Sequence, residues 1–297
     1  MRGYLRSVGS VASYAVDHSD PIRRRFEEPL FGRLICKLLR RAGGGRMLDV
    51  GCGDGLAARL AGASAAEYVG LDFRPVAVTE GEFVLHDLRD GLGPVGTAPF
   101  DLYFGGFGIL SHLDPPALGR LLGDVARHGR PGSVVALEAL GLHSLEWPRA
   151  WDSAPGGERL LPYRLGGELV VHPWAAPELA AAFALAGIEW LGCRDRTLQA
   201  GPKVGDSRYW PGVPKLRDAL ATLAQGDSDG IDVLGEPLPP LPAHPAAIFH
   251  HTLAANRHKL LSASTLEPDA LARRIWELEP RTASGFGHGL IAIGRVR

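Results

Sequence analysis

Three glycines at alternate positions, Gly51, Gly53 and Gly55, follow Leu48-Asp49-Val50 and precede Leu56 to Leu60. The first group reads as the end of a short buried strand and the second as the start of a helix. Between them, Gly51 and Gly53 permit a tight turn in which the backbone approaches a ligand without a Cβ in the way, and Gly55 lets the helix pack close to the strand. The first N–H groups of such a helix face a ligand carboxylate or phosphate. The chemistry served by this turn is the binding of a nucleoside-bearing cofactor. A dinucleotide fingerprint would place its third glycine at position 56, which is Leu56.

Acidic residues recur at the ends of the strands that follow. Tyr68-Val69-Gly70-Leu71 leads to Asp72, Phe83-Val84-Leu85-His86 leads to Asp87, and a fourth strand spans Phe100 to Gly106. A carboxylate at position 72 can accept from both ribose hydroxyls, in bonds typically worth about 1.5–3 kcal/mol each. Asp54 and Asp101 read instead as helix caps or surface charges.

The D-x-G-x-G-x-G spacing and this ordered series resemble the class I S-adenosylmethionine-dependent methyltransferases. The resemblance implies an α/β, Rossmann-like, doubly wound sheet of seven strands with an antiparallel last strand, and S-adenosylmethionine as cofactor. It implies cofactor contacts from Asp49, Gly51, Cys52 and Gly53 in the turn, from Asp72 and Phe73, and from Asp87 and Leu88, where the family meets the adenine amino group. Gly105 and Phe107 join them, because Phe107 to Leu113 is similar to the family's motif beside the transferred methyl. The N-terminal segment, 1–44, would fold over the cofactor; Tyr14 is its candidate contact, with core packing as the alternative.

Methyl transfer from a sulfonium is an in-line displacement that needs the acceptor about 3–3.5 Å from the methyl carbon. A base is required only where the acceptor holds its proton, as an alcohol, phenol or acidic carbon does. His112, directly after the fourth strand, is a candidate base; the alternative is a helix-start histidine, with Ser111 capping the following helix. Glu138, at the end of the fifth strand, and His143 just beyond it are further catalytic candidates. Trp147, Trp151 and Tyr163 either line an aromatic acceptor pocket or dock a cap, and Tyr209 carries the same two readings. No metal is expected: His250 and His251 are adjacent rather than one turn apart, and His112, His143 and His172 could converge only through the fold.

The elements that position these residues alternate as βαβ architecture demands. A helix from Pro116 to His128 precedes a fifth strand, Ser133 to Glu138; a helix from Pro177 to Ala186 precedes a sixth, Ile188 to Gly192; the last strand is Leu290 to Val296. Residues 202–287 intervene, too long for a structureless loop. Helical patterns at Val213–Leu223, Pro245–Leu261 and Pro268–Leu278, with a Pro/Gly/Asp-rich connector from Gly226 to Pro242 whose Pro237–Pro242 run should be extended, define a helical cap inserted between strands six and seven. The expected organisation is an N-terminal helical lid, 1–44, a cofactor-binding core, 45–202 with 286–297, and the cap, 203–285.

Composition narrows the partners. The 297 residues carry a net charge of −1 with 45% hydrophobic content. A nucleic-acid substrate is therefore disfavoured, and Arg23-Arg24-Arg25 reads as a solvated helix face. No run approaches the roughly 20 apolar residues of a membrane span. Three widely spaced cysteines, Cys36, Cys52 and Cys193, point to reduced thiols and the cytoplasm. The expectation is a cytoplasmic enzyme, monomer or homodimer, that methylates a small, specialised-metabolite acceptor at O, N or C. Other S-adenosylmethionine chemistry on the same fold, and non-catalytic cofactor binding, are the alternatives.

Overall fold

The computed structural model describes residues 20–75, 81–155, 159–164, 168–279 and 284–297; Tyr14 lies outside them. The chain enters through a π-helical turn, Arg23–Glu27, that runs into α1 (Glu28–Ala42). There follow β1 (Arg46–Val50), α2 (Leu56–Ala61), β2 (Glu67–Asp72), β3 (Glu82–Leu85), β4 (Leu102–Gly105), α3 (Pro115–His128) and β5 (Val134–Leu140). A hairpin of β6 (Leu161–Arg164) and β7 (Glu168–Val171) comes next, then α4 (Ala176–Leu185) and β8 (Ile188–Thr197). Four helices, α5 (Leu216–Ala224), α6 (Gly230–Gly235), α7 (Pro245–Ala263) and α8 (Pro268–Trp276), lead to β9 (Gly289–Val296).

The main sheet has the order β3-β2-β1-β4-β5-β9-β8. Neighbours from β3 to β5 are parallel, and β9 runs antiparallel between β5 and β8. This is the Rossmann-like fold expected from the resemblance. Central β1 is buried on both faces, as parallel strands covered by helices are; Met47, Leu48 and Val50 are fully enclosed. Apolar stripes of α3 and α4 close one face of the sheet, while Phe31, Ile35, Leu38 and Leu39 of α1 close the other together with α2.

The strand order reverses between β1 and β4, which opens a crevice at the carboxyl ends of the strands. Register fixes what lines that rim. Val50 pairs with Leu71, Asp72 with Leu85, Gly105 with Leu137, and Leu140 with Gly289. Because β9 is antiparallel, its first residue stands at the same rim as the last residues of β1, β2, β4 and β5. Helices α5 to α8 pack their apolar sides into one cluster with Ile22 and Phe26 at the N-terminal turn and with Leu145 and Trp151 beyond β5.

Three local expectations are corrected. The β6–β7 hairpin stands where no strand was expected. The connector after α5 carries a helix that was not expected, α6 at Gly230–Gly235, ahead of the proline run Pro237–Pro242, which is free of helix and strand. Ser111 does not cap the helix after β4: Asp114 does, accepting the Ala117 N–H at 2.7 Å, with Pro115 at the first helical position. Ser111 instead takes the Leu140 N–H on its Oγ at 2.8 Å.

Candidate active site at the carboxyl rim

The glycine turn is held under the end of β2, where the Gly51 and Cys52 N–H groups both donate to the Leu71 carbonyl. Gly51 has φ 73° and Gly53 φ 54°, backbone that L side chains adopt only under strain. A Cβ on Gly51 would also stand 2.3 Å from Cδ1 of Ile109. Beneath the turn, Asp49 is buried and accepts the Tyr68 hydroxyl at 2.7 Å; burial raises its carboxyl to about 7, with Asp72 and Asp54 adding to the rise against the Tyr68 bond. Burial likewise pushes the Cys52 thiol up. Asp54 accepts the Leu56 N–H and pairs with Arg59, and Asp101 pairs with Arg130, so both serve local structure.

Asp72 faces the turn and is only 4% exposed. Its Oδ2 accepts the Gly53 N–H at 3.0 Å; its Oδ1 accepts the Arg74 N–H at 3.0 Å and Arg74 Nε at 3.3 Å. Next to it, large apolar side chains are left open: Phe73 is 41% exposed and Leu85, its neighbour at the end of β3, 59%. Asp87 receives the backbone N–H and the guanidinium of Arg89, which together outweigh burial and lower its pKa. Leu88 turns its side chain into the core.

Past β4, Phe107 has φ 54°, the single positive φ of a non-glycine among the described residues. Such strain persists where surrounding contacts enforce it. Here the enforcing group is Glu138, fully buried, whose Oε2 accepts the Phe107 N–H at 2.8 Å. Its Oε1 accepts Arg196 Nε at 2.9 Å. Arg196 also bonds Glu27, which accepts Thr197 Oγ1 at 2.9 Å and pairs with Arg217 of α5 at 3.0 Å; Arg217 reaches Asp20 at 2.6 Å. Burial of Glu27 would raise its pKa, but the two guanidinium groups overcome it and hold the carboxylate ionised. This buried chain of charges joins the N-terminal turn, α5, β8 and β5 to the Phe107 backbone. The Phe107 ring lies 4.1 Å from the Arg23 guanidinium carbon and 4.8 Å from the Phe31 ring. Gly105 keeps the path open, since a Cβ there would stand 2.9 Å from the Val50 carbonyl.

The histidine candidates line the same rim. His112 is half-buried and feels both Arg74 and Asp72; burial, then Arg74, pushes it down to about 4. His143 stacks on His244, the residue before α7, at 4.7 Å and meets Phe286 edge-on; burial, His244 and Arg159 push it down to about 4. His172 donates its N–H to the Ser111 carbonyl and is likewise lowered to about 4, by burial and then Arg159. At neutral pH all three are uncharged and weak proton acceptors. Among the described residues no group of histidine, cysteine and carboxylate side chains could hold a metal ion.

The aromatic candidates separate into two sets. Trp147 donates Nε1–H to the Gly141 carbonyl and meets Tyr163 edge-on, with Tyr209 6.4 Å beyond. Trp151 donates to the Ser144 carbonyl and packs on His244 and His250, within the apolar cluster of α5 to α8. Both indole N–H groups are thus spent on backbone. Sequence reasoning passed over Arg196, Glu27, Arg217, Glu146 and His288; His288 carried one usable signal, its place immediately before a strand that opens at this rim.

No family model matches the chain, and no curated protein does. Solved structures similar to it include the sugar N-methyltransferase KedS8 from a Streptoalloteichus species, 17% identical over 60% of this chain and 84% of that one, TM-score 0.43. The amino pentose methyltransferase CalS10 from Micromonospora echinaspora, in an S-adenosylmethionine-bound structure, is 19% identical over 57% and 85%, TM-score 0.41. The [4+2]-cyclase SpnF is 18% identical over 89% and 80%, TM-score 0.41. Likeness this distant carries no functional argument, which rests on the rim itself.

Proposed function

We propose that the rim from Gly51 to Phe107 binds S-adenosylmethionine and that the chain transfers its methyl group to a small-molecule acceptor. The observation that carries the reading is the left-handed glycine turn facing Asp72 at the strand-order reversal, with Phe73 and Leu85 left open beside it. An ionised carboxylate offers about four acceptor sites, and the longer Arg74 Nε bond to Asp72 is the one a ribose diol displaces. Phe73 and Leu85 then cover an adenine ring. His112, neutral beside Asp72 and Arg74, imposes no positive charge on a sulfonium. Glu138 holds the Phe107 turn at the end of β4, which keeps backbone and ring in place next to the reacting end of the cofactor. When bound, the cofactor supplies an electrophilic methyl carbon; the chain orients it and excludes water.

The cap and the aromatic residues Trp147, Trp151, Tyr163 and Tyr209 close the acceptor side, with His143 at the seam between cap and rim. Among the described residues no helix is long and apolar enough to cross a membrane. Calorimetry with S-adenosylmethionine, followed by product analysis with a panel of small acceptors, tests the proposal. Micromolar binding and formation of S-adenosylhomocysteine are expected. Absence of binding sinks the cofactor reading, and methylthioadenosine in place of S-adenosylhomocysteine sinks methyl transfer.

A further inference from the structure

One buried pair at the rim is unused by the cofactor. His288, the residue before β9, is 1% exposed, and its Nδ1 stands 2.5 Å from Oε2 of Glu146. Glu146 is anchored on all sides: Oε2 also accepts the Ser144 hydroxyl at 2.9 Å, and Oε1 accepts the Lys203 N–H at 3.0 Å. Burial would raise the Glu146 pKa, but His288 and these bonds lower it, so the carboxylate stays ionised. An ionised carboxylate only accepts, so the proton between the two belongs to Nδ1. In the neutral ring the Nε2 lone pair carries no proton, the arrangement in which a carboxylate orients an imidazole as a base.

The surroundings favour such use. Among the described residues no hydrogen bond to Nε2 is formed. The backbone holds the ring in place: His288 donates its N–H to the Thr197 carbonyl and accepts the Gly141 N–H. Gly201 makes room for it, since a Cβ there would stand 2.9 Å from the ring's Cγ. The Tyr163 ring lies over it at 6.3 Å and 26°. The next residue, Gly289, abuts Oε1 of Glu138, the carboxylate that holds Phe107. The pair therefore sits on the acceptor side of the rim, one strand from the residue placed beside the methyl group.

We propose that His288, oriented by Glu146, takes the acceptor's proton, and that the acceptor atom is a hydroxyl oxygen rather than an amine nitrogen. The inference rests on the methyl-transfer reading. An unprotonated amine is nucleophilic without a base, whereas an alcohol or phenol gains from one in the transition state. The hydroxyl proton passes to Nε2, the oxygen forms the new bond to the methyl carbon, and the carbon–sulfur electron pair leaves on S-adenosylhomocysteine. The imidazolium, stabilised by Glu146, then returns the proton to water.

Two measurements on the full chain decide the matter. Nitrogen NMR of histidine-labelled protein, saturated with S-adenosylhomocysteine and assigned by the His288→Asn variant, should show His288 protonated on Nδ1 alone; a proton resident on Nε2 overturns the proposal. The second is methyl transfer to para-hydroxybenzoate and methyl glucoside, each compared with its amino counterpart. His288→Asn should lower transfer to the hydroxyl probe by about 10²–10⁴-fold, with calorimetric affinity for S-adenosylhomocysteine kept. Glu146→Gln, which retains an acceptor for Nδ1–H, should lower kcat more than it changes KM. Transfer to amino probes alone, or His288→Asn acting on the hydroxyl probe at the wild-type rate, refutes the proposal. Wild-type protein that binds no S-adenosylhomocysteine would be a failure of the cofactor reading, which the tautomer measured without ligand keeps separate.

Discussion

Replacing Asp72 with alanine isolates the interaction that most specifically marks the cofactor. In the free protein its two oxygens hold the turn through Gly53 N–H and fix the Arg74 backbone and guanidinium. In the proposed complex two ribose hydroxyls join them, and hydrogen bonds to a charged acceptor are worth about 1.5–3 kcal/mol each. Losing both bonds is offset in part, because the Arg74 side chain no longer has to yield its place, so a net loss of about 1.5–3 kcal/mol is expected, close to the worth of one bond. That corresponds to a dissociation constant raised about 10- to 150-fold. Isothermal calorimetry with S-adenosylhomocysteine measures it without turnover. Asp72→Asn, which keeps one carbonyl acceptor, should fall between wild type and alanine. A urea melt of each variant separates ligand loss from loosening of the turn. An Asp72→Ala protein that folds and binds S-adenosylhomocysteine within about twofold of wild type would refute the ribose assignment, since no single charged hydrogen bond is that weak.

Gly51→Ala should abolish measurable cofactor binding in the same calorimetry and cost about 1–3 kcal/mol of stability, because it imposes left-handed strain and presses Ile109. Arg196→Met, which strands Glu138 without its cation, should destabilise the fold by about 3–5 kcal/mol in urea denaturation, whereas a loss under about 1 kcal/mol would mean that the charge network is not coupled to folding. Acid should weaken the protein between about pH 6.5, where unfolded histidine titrates, and about 4, where burial places His112, His143, His172 and His250. Their depressed folded-state pKa values mean that the unfolded chain binds more protons in that window, so stability falls as pH falls. Thermal melts against pH should show the slope, and His172→Gln should flatten it.

The half of the rim proposed to hold the cofactor was drawn from local spacing. Glycines that need left-handed backbone and acids that end strands are constrained within a few residues, so the turn at Gly51 and Gly53 and the strand ends at Asp72 and Asp87 carry their meaning in one dimension. Alternation of strand and helix likewise announced the sheet, because a parallel strand buried on both faces leaves a short apolar run. The hairpin β6–β7 escaped notice because Pro162 and the Gly166-Gly167 pair read as loop, and α6 because six residues that begin and end with glycine, between Gly226-Asp227-Ser228-Asp229 and a proline run, carry little helical pattern. What only the tertiary structure decided is which charges meet. Arg196 contacts Glu138 across 58 positions and Glu27 across 169, and His288 finds Glu146 across 142. No propensity or period encodes such pairs. They exist because β9 closes antiparallel against β5 and β8, bringing the last strand's first residue to the carboxyl rim, and because a buried charged or polar group is costly unless the fold brings it partners.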